Sequence, residues 1–316
     1  MAFRLVPGQP ISRSVRQIGA EQIDRVLPKF PGRSKSANAV HETRKALKRL
    51  RALVNLVKPG LTKSDFRRIE SRLKLTARAL SAVRDIQAML ETAEKLRAYD
   101  VDVGAGPVSM ALTARLEARC RTAEKRFDGA AATRTRKLLG EARKDFSTLD
   151  LKDDDFALVA STLKRDYRKA CRTFRQAYDL QTDEAFHEWR KYVQRHWRQL
   201  LLVGPSWPKV LRPHIALARD LADMLGEDHD LSVLAELVAE EGDRLGGRAE
   251  VDAYLALCRR RQTELRERAR DMGARLLAEK PSSLAARLKA YWATAPRLKD
   301  NGEEEAENSN VIALPR

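Results

Sequence analysis

The sequence predicts an all-α fold made of two copies of one helical unit, and three observations predict it. Strand-type alternation is essentially absent, and apolar residues recur at helical spacing through most of the 316 residues. A signature repeats: VHETRKALKRLR, Val40 to Arg51, returns as FHEWRKYVQRHWR, Phe186 to Arg198, matching His41, Arg44 and Lys45 to His187, Arg190 and Lys191 at an offset of 146 residues. A second pair follows, with LSAVRDIQAML from Leu80 aligned to LGEDHDLSVLA from Leu225 at an offset of 145. Offsets that agree this closely imply an internal duplication with little rearrangement. Short connections favour antiparallel neighbours packed as bundles, with one bundle over 10–150, a second over 151–295 and a disordered acidic tail over 298–316.

Glycine and proline punctuate the helices. In the first half, helices are expected over 11–27, 35–58, 62–98, 108–127 and 131–147, separated at Pro28 to Gly32, Pro59-Gly60 and Gly104 to Pro107. In the second half they are expected over 154–179, 183–203, 209–225, 229–244, 249–279 and 282–292, with breaks at Gly204 to Pro208, Gly226 and Gly246-Gly247. Ser81 and Gly226 are read as turns or kinks ahead of Arg84-Asp85 and His229-Asp230.

The repeated helices divide sharply into two faces. At about 100° per residue, Arg44, Lys45, Lys48, Arg49 and Arg51 fall within about 80° of His41, and Ala46, Leu47, Leu50, Leu53, Val54 and Val57 lie opposite. Solvated helix faces ordinarily mix signs, because like charges one turn apart repel by a few tenths of a kcal/mol. A purely basic face points to an anion that relieves the repulsion. In the second copy Gln194 stands in place of Lys48, and Arg198 supplies a cation one turn later. Arg195 completes that face, whereas His196 lies opposite His187 beside Trp189, Tyr192 and Val193 and is read as a hydrogen-bonded core histidine. Asp85 and Asp230 either cap helix N-termini or face a ligand. Arg84, expected in a seam between helices, and the spacing Arg168, Arg172, Arg175 are further candidates, the latter equally readable as a solvated face.

Charge narrows the class of partner. Lys and Arg total 61 against 44 Asp and Glu, a net +17, and the acidic cluster at Asp300 to Glu307 lies outside the predicted bundles, so the folded body is more basic still. Such a surface suits nucleic acid, another polyanion or an anionic membrane surface. Cys120, Cys171 and Cys258 share no metal-ligand spacing and suit reduced thiols in the cytoplasm. No secretory leader is read at the N-terminus and no apolar run reaches the ~18 residues of a membrane span.

The two H-x-x-R-K helices at His41 and His187, the L-x-x-x-R-D-type segments ending at Asp85 and Asp230, and Tyr167-Arg168 with Arg172 together resemble the CHAD domain, the conserved histidine α-helical domain, across roughly residues 10–295. The resemblance implies two pseudo-symmetric four-helix-type bundles and binding of inorganic polyphosphate at a basic groove, in association with polyphosphate granules. Its implied contacts are His41, Arg44, Lys45, Lys48, Arg49, Arg51, Arg84, Arg168, Arg172, His187, Arg190, Lys191, Arg195, Arg198 and His229. Gln194, at a position usually Lys in the family, and His229, where the first copy has Arg84, depart from the pattern.

The chemistry suits such a ligand. Polyphosphate is a chain of anions without bases, so recognition needs charge, forked guanidinium donors and mobile ammonium groups. With an ordinary pKa near 6.5, His41 and His187 would strengthen binding modestly below neutrality. Sequence-independent nucleic-acid binding is the alternative, permitted by charge but unsupported by zinc-finger spacing or by the 6% aromatic content that base stacking would exploit. A di-metal bundle wants inward Glu-x-x-His pairs, and these histidines lie among cations. The E-x-E-x-K strand of triphosphate tunnel phosphohydrolases is absent as well. No cofactor and no catalytic activity are expected.

Overall fold

The computed structural model describes residues 3–29, 36–104, 106–126 and 129–299. Its helices are α1 (Ile11–Asp24), α2 (Ser36–Leu56), α3 (Lys63–Ala79), α4 (Ser81–Tyr99), α5 (Val101–Gly104), α6 (Pro107–Arg126) and α7 (Ala130–Ser147), then α8 (Phe156–Leu180), α9 (Asp183–Val203), α10 (Pro208–Glu241), α11 (Arg248–Leu276) and α12 (Pro281–Lys299). No strand occurs among the described residues. The acidic-tail expectation falls, from residue 300 onward, outside them.

Local chemistry sets several starts. Thr62 accepts the Asp65 amide at 3.1 Å to cap α3, Asp155 accepts from Ala157 at 2.9 Å to cap α8, and Thr182 accepts from Ala185 at 3.3 Å to cap α9. Each such cap is worth about 1 kcal/mol. Asp183 and Glu184 add favourable charge in the first turn of α9. Pro208 opens α10, where its missing N–H costs nothing.

The order α1, α2, α3 with α4, α6, α7 is followed by α8, α9, α10, α11, α12, and the packing follows suit. α1 lies against α2 and α7 as α8 lies against α9 and α12; α4 packs on α6 as α10 packs on α11. The helices that carry the repeated motifs also meet, α2 against α9 and α4 against α10. Two buried apolar clusters result. The larger joins α1, α2, α3 and α7 to α8, α9, α12 and the first half of α10, for example through Leu50, Phe146, Leu163, Trp189 and Leu221. The smaller joins α4 and α6 to the second half of α10 and α11, through Leu96, Leu112, Leu234 and Tyr254. Each cluster draws on both halves of the sequence.

Two differences from the expected helices bear on the site. The single helix over 62–98 breaks at Leu80, whose φ of −102° and ψ of 0° end α3 and start α4. Ser81 marks this break, its hydroxyl donating to the Arg78 carbonyl at 3.0 Å. Gly226 does not break its helix: α10 runs unbroken from Pro208 to Glu241, because Leu221, Leu225, Leu231 and Leu234 keep one continuous buried stripe. Packing here overrides a weak glycine signal.

The glycines therefore differ in what an added methyl would meet. At Gly19 a Cβ would lie 2.4 Å from Phe146 Cγ, where α1 crosses α7, so Gly19→Ala is expected to cost about 1–3 kcal/mol. At Gly226 the nearest atom is Arg190 Nε at 3.9 Å. Gly226→Ala is accordingly expected to stabilise by up to about 1 kcal/mol through helix propensity. Urea midpoints of the two variants should move in opposite directions.

Candidate polyanion-binding site

The basic faces of α2 and α9 are aimed by what lies behind them. Behind α2, Val40, Leu47, Leu50, Val54 and Val57 are buried, and Thr43 donates to the Ala39 carbonyl at 2.7 Å. Behind α9, Trp189 is fully buried, 5.1 Å between ring centroids from Phe174, with Gly273 of α11 so close beneath it that a Cβ there would meet the indole at 2.8 Å. Anchoring these backs leaves His41, Arg44, Lys45 and Lys48, and likewise His187, Arg190 and Lys191, on the open side.

Cations from three helices meet there. Around Lys48 of α2 stand Arg44 of the same helix, Arg84 of α4, and Arg190 and Arg198 of α9. Desolvation, followed by repulsion from Arg198, Arg190, Arg44 and Arg84, pulls the Lys48 ammonium down to about 8. Lys48 is nonetheless exposed to water, so the crowding of like charge is the more durable cause. Desolvation lowers Arg198 to about 10, with Arg190 and Arg49 contributing. Arg190 is lowered by burial and partly restored by Asp230 and Asp228. Among the described residues, Lys48, Arg190 and Arg198 form no ion pair with a carboxylate.

Several guanidiniums elsewhere are neutralised. Arg68 and Arg72 hold Asp145, Arg119 holds Glu241, and Arg287 holds Glu279. Lys48, Arg190 and Arg198 differ from these in having no carboxylate at ion-pair distance among the described residues, whereas Arg44 and Arg84 of the cluster are paired with Asp85 and Glu91. Arg198 supplies the cation that Gln194 lacks: its guanidinium donates back to the Gln194 carbonyl at 2.9 Å, lies 4.9 Å from the Trp197 ring and is among the charges around Lys48. Arg84 reaches the same centre because α3 and α4 break at Leu80; it also pairs with Glu91 at 3.1 Å.

Both aspartates of the repeated segments face cations and neither caps a helix. Asp85 lies in the second turn of α4 and pairs with Arg44 at 3.6 Å, and Asp230 lies in mid-α10 near Arg190, Arg84, Lys48 and Lys95. His187 and His229 meet Nδ1 to Nδ1 at 3.2 Å, so one ring must donate to the other. Burial, then Arg190 and Lys191, lowers His187; burial, then Arg190 and His187, lowers His229 to about 4. The expectation that His187 titrates near its ordinary value is therefore corrected. Protonating either ring would put a further charge among cations.

The remaining candidates are spread around this centre. His41 and Lys45 are exposed on the rim, and Lys191 pairs with Glu188. Arg49 leans toward α1, donating to Gln22 at 3.2 Å, and Arg195 leans toward α8, 3.7 Å from buried Asp166. Arg51 is half-buried, with a buried Nε that has no protein partner. Arg168 and Arg172 are exposed on α8, while neighbouring Tyr167 belongs to the core, its hydroxyl donating to the Leu276 carbonyl at 3.1 Å. His196 is buried beside Tyr167, and burial drives it down to about 3; contrary to the hydrogen-bonded expectation, neither ring nitrogen has a protein partner.

One residue escaped the sequence reading. Lys95 lines a small crevice with Thr92, Glu227 and Arg261 and lies near Asp230. Its signal was present, since a separation of eleven residues from Arg84 returns to nearly the same helix face.

Residues 17–239 match the CHAD domain. The chain belongs to the CHAD family. CHAD architecture is shared with two solved structures: PptA from Streptomyces chartreusis, at 16% identity and TM-score 0.63 over 86% of this chain and 100% of that one, and the CHAD domain from the plant Ricinus communis, at 17% identity and TM-score 0.57 over 93% and 95%. No curated protein matches in sequence. Among the described residues of this CHAD protein, no cluster of three His, Cys, Asp or Glu could hold a metal ion, and no helix is long and apolar enough to cross a membrane.

Proposed function

We propose that this CHAD protein binds inorganic polyphosphate where α2, α4, α9 and α10 meet, without chemically altering it, and that this binding associates it with polyphosphate granules in the cytoplasm. The observation that carries the reading is the convergence of Arg44, Lys48, Arg84, Arg190 and Arg198 in one groove, crowded enough to depress the Lys48 ammonium. Self-repulsion of this kind is relieved by a polyanion, and forked arginines around a mobile lysine match phosphoryl oxygens that carry no base or sugar. Arg168 and Arg172 on α8, with His41 and Lys45 on the rim, would extend the binding surface for longer chains. Isothermal titration with long-chain polyphosphate at physiological salt tests the reading: saturable binding that weakens with added salt is expected, and absence of heat and of binding would overturn it. Release of orthophosphate by the pure protein would overturn the non-catalytic part.

The Lys48 ammonium also gives the binding a pH dependence. Unbound Lys48 loses its proton as pH rises through about 8, and a bound polyanion favours the charged form. Binding at pH 8–9 should therefore take up a proton, and affinity should fall as pH rises through that range. Titration in buffers of different ionisation enthalpy measures the uptake. For folding the sign is opposite: a lysine whose pKa is below the unfolded value near 10.4 destabilises the native state when charged, and the penalty fades between about 8 and about 10.4. Lys48→Gln should accordingly raise Tm at pH 7, weaken polyphosphate binding and abolish the proton uptake.

A further inference from the structure

A carboxylate stands at the centre of a groove built for anions. Asp230, half-buried in mid-α10, faces Arg190 of α9, Arg84 and Lys95 of α4 and Lys48 of α2. It lies one turn beyond Gly226, against which the Arg190 guanidinium rests at 3.9 Å from an ideal Cβ position. Its counterpart Asp85 differs: with 61% of its side chain exposed, it meets Arg44 at 3.6 Å from outside the cluster. The chain thus places one aspartate on the rim and one among the cations.

We propose that Asp230 is an internal counter-anion, occupying the electrostatic centre of the groove while it is empty and competing with any anion that enters. This deepens the polyphosphate reading and rests on it for the identity of the ligand. Without Asp230, the compensation left to Lys48, Arg84, Lys95 and Arg190 would be Glu91 on Arg84 and Asp228 near Arg190. With it, the arginines are held apart and oriented, and an incoming anion meets a fixed negative charge. Orthophosphate or tripolyphosphate reaches too few cations to outweigh that charge. A long chain spreads its phosphates over the rim and past the centre, so the same repulsion is a small part of its total. Asp230 is on this account a specificity-determining residue that disfavours short anions.

The test compares wild type with Asp230→Asn for tripolyphosphate and long-chain polyphosphate, and measures the rise in Tm with inorganic sulfate as a probe independent of phosphate. Asp230→Asn should bind tripolyphosphate about tenfold or more tightly, as expected for removal of a like charge, with a smaller gain for the long chain and greater stabilisation by sulfate. Equal or weaker tripolyphosphate binding would overturn the proposal, the weaker result showing that Asp230 serves only to orient Arg190. If Asp230→Asn fails to fold, the comparison moves to the Lys48→Gln background, where adding Asp230→Asn must still tighten tripolyphosphate binding. Should wild type bind no polyphosphate of any length while sulfate still stabilises Asp230→Asn more, the polyphosphate reading fails and the counter-anion stands. No difference with sulfate would overturn the counter-anion as well.

Discussion

Replacing Arg84, Arg190 and Arg198 together with Gln is expected to weaken polyphosphate binding at least about a hundredfold at physiological salt and to leave the protein folded. Charge-assisted hydrogen bonds to phosphate are worth about 1.5–3 kcal/mol each, and these three guanidiniums surround Lys48. Arg190 and Arg198 form no ion pair with a carboxylate among the described residues, and the triple variant leaves half-buried Asp230 with Lys48 and Lys95 as its remaining cations. Relief of mutual repulsion offsets the loss of these cations around Asp230 and Glu91, so Tm should change little. The slope of log affinity against log salt should flatten, by about one for each phosphate that the variant no longer neutralises. Replacing rim residues Lys45 and Lys191 with Ala should have a smaller effect, since both are exposed and Lys191 already pairs with Glu188. Calorimetric titration and thermal melts separate the two variants, and a triple variant that binds normally would move the site elsewhere.

Removing Arg266 is expected to have the largest effect on folding. Its guanidinium donates to buried Asp228 at 2.6 Å and also pairs with Asp183, tying α11 to α10 and to the start of α9. Asp228 is further surrounded by Gln262, which donates to its backbone carbonyl at 3.3 Å and to Ser232 at 2.9 Å. Arg266→Met leaves the Asp228 carboxylate buried without its cation, a change that costs about 3–5 kcal/mol when one partner of a buried pair is deleted. Asp228→Asn in the same background should recover part of the stability. Both variants are read by urea unfolding. Because Asp228 immediately precedes His229 and Asp230, the clamp also fixes the register in which α10 presents them.

The helices of the site are legible in the sequence because their two faces differ so strongly: leucines and valines on one side of α2, cations on the other, and the same pattern returning in α9. The repeated spacing also matches Arg84-Asp85 to His229-Asp230 without any knowledge of the fold. What spacing does not give is the direction of long side chains. Arg49 lies on the basic face of α2 and Arg195 on that of α9, yet they turn to Gln22 of α1 and Asp166 of α8. Arg84 cannot be aimed from a straight helix, because the break at Leu80 redirects it. Gly226 misleads in the opposite sense, since tertiary packing carries α10 through it. Pairing across the halves, α2 on α9 and α4 on α10, is a property of long-range packing that local periodicity does not contain. The depressed histidines likewise follow from their burial beside Arg190, which for His229 is an approach between α9 and α10 that is invisible in the motif itself.

Competition between two polymers of matched charge tests the central claim most directly. The purified protein is saturated with long-chain polyphosphate at physiological salt, and duplex DNA of matched phosphate content is added in excess. Polyphosphate is expected to stay bound, because a flexible chain can adapt its phosphates to Lys48, Arg190 and Arg198, whereas a rigid duplex presents its phosphates at fixed spacing. Displacement by an equal amount of DNA phosphate would contradict a dedicated polyphosphate site and leave a general polyanion surface in its place.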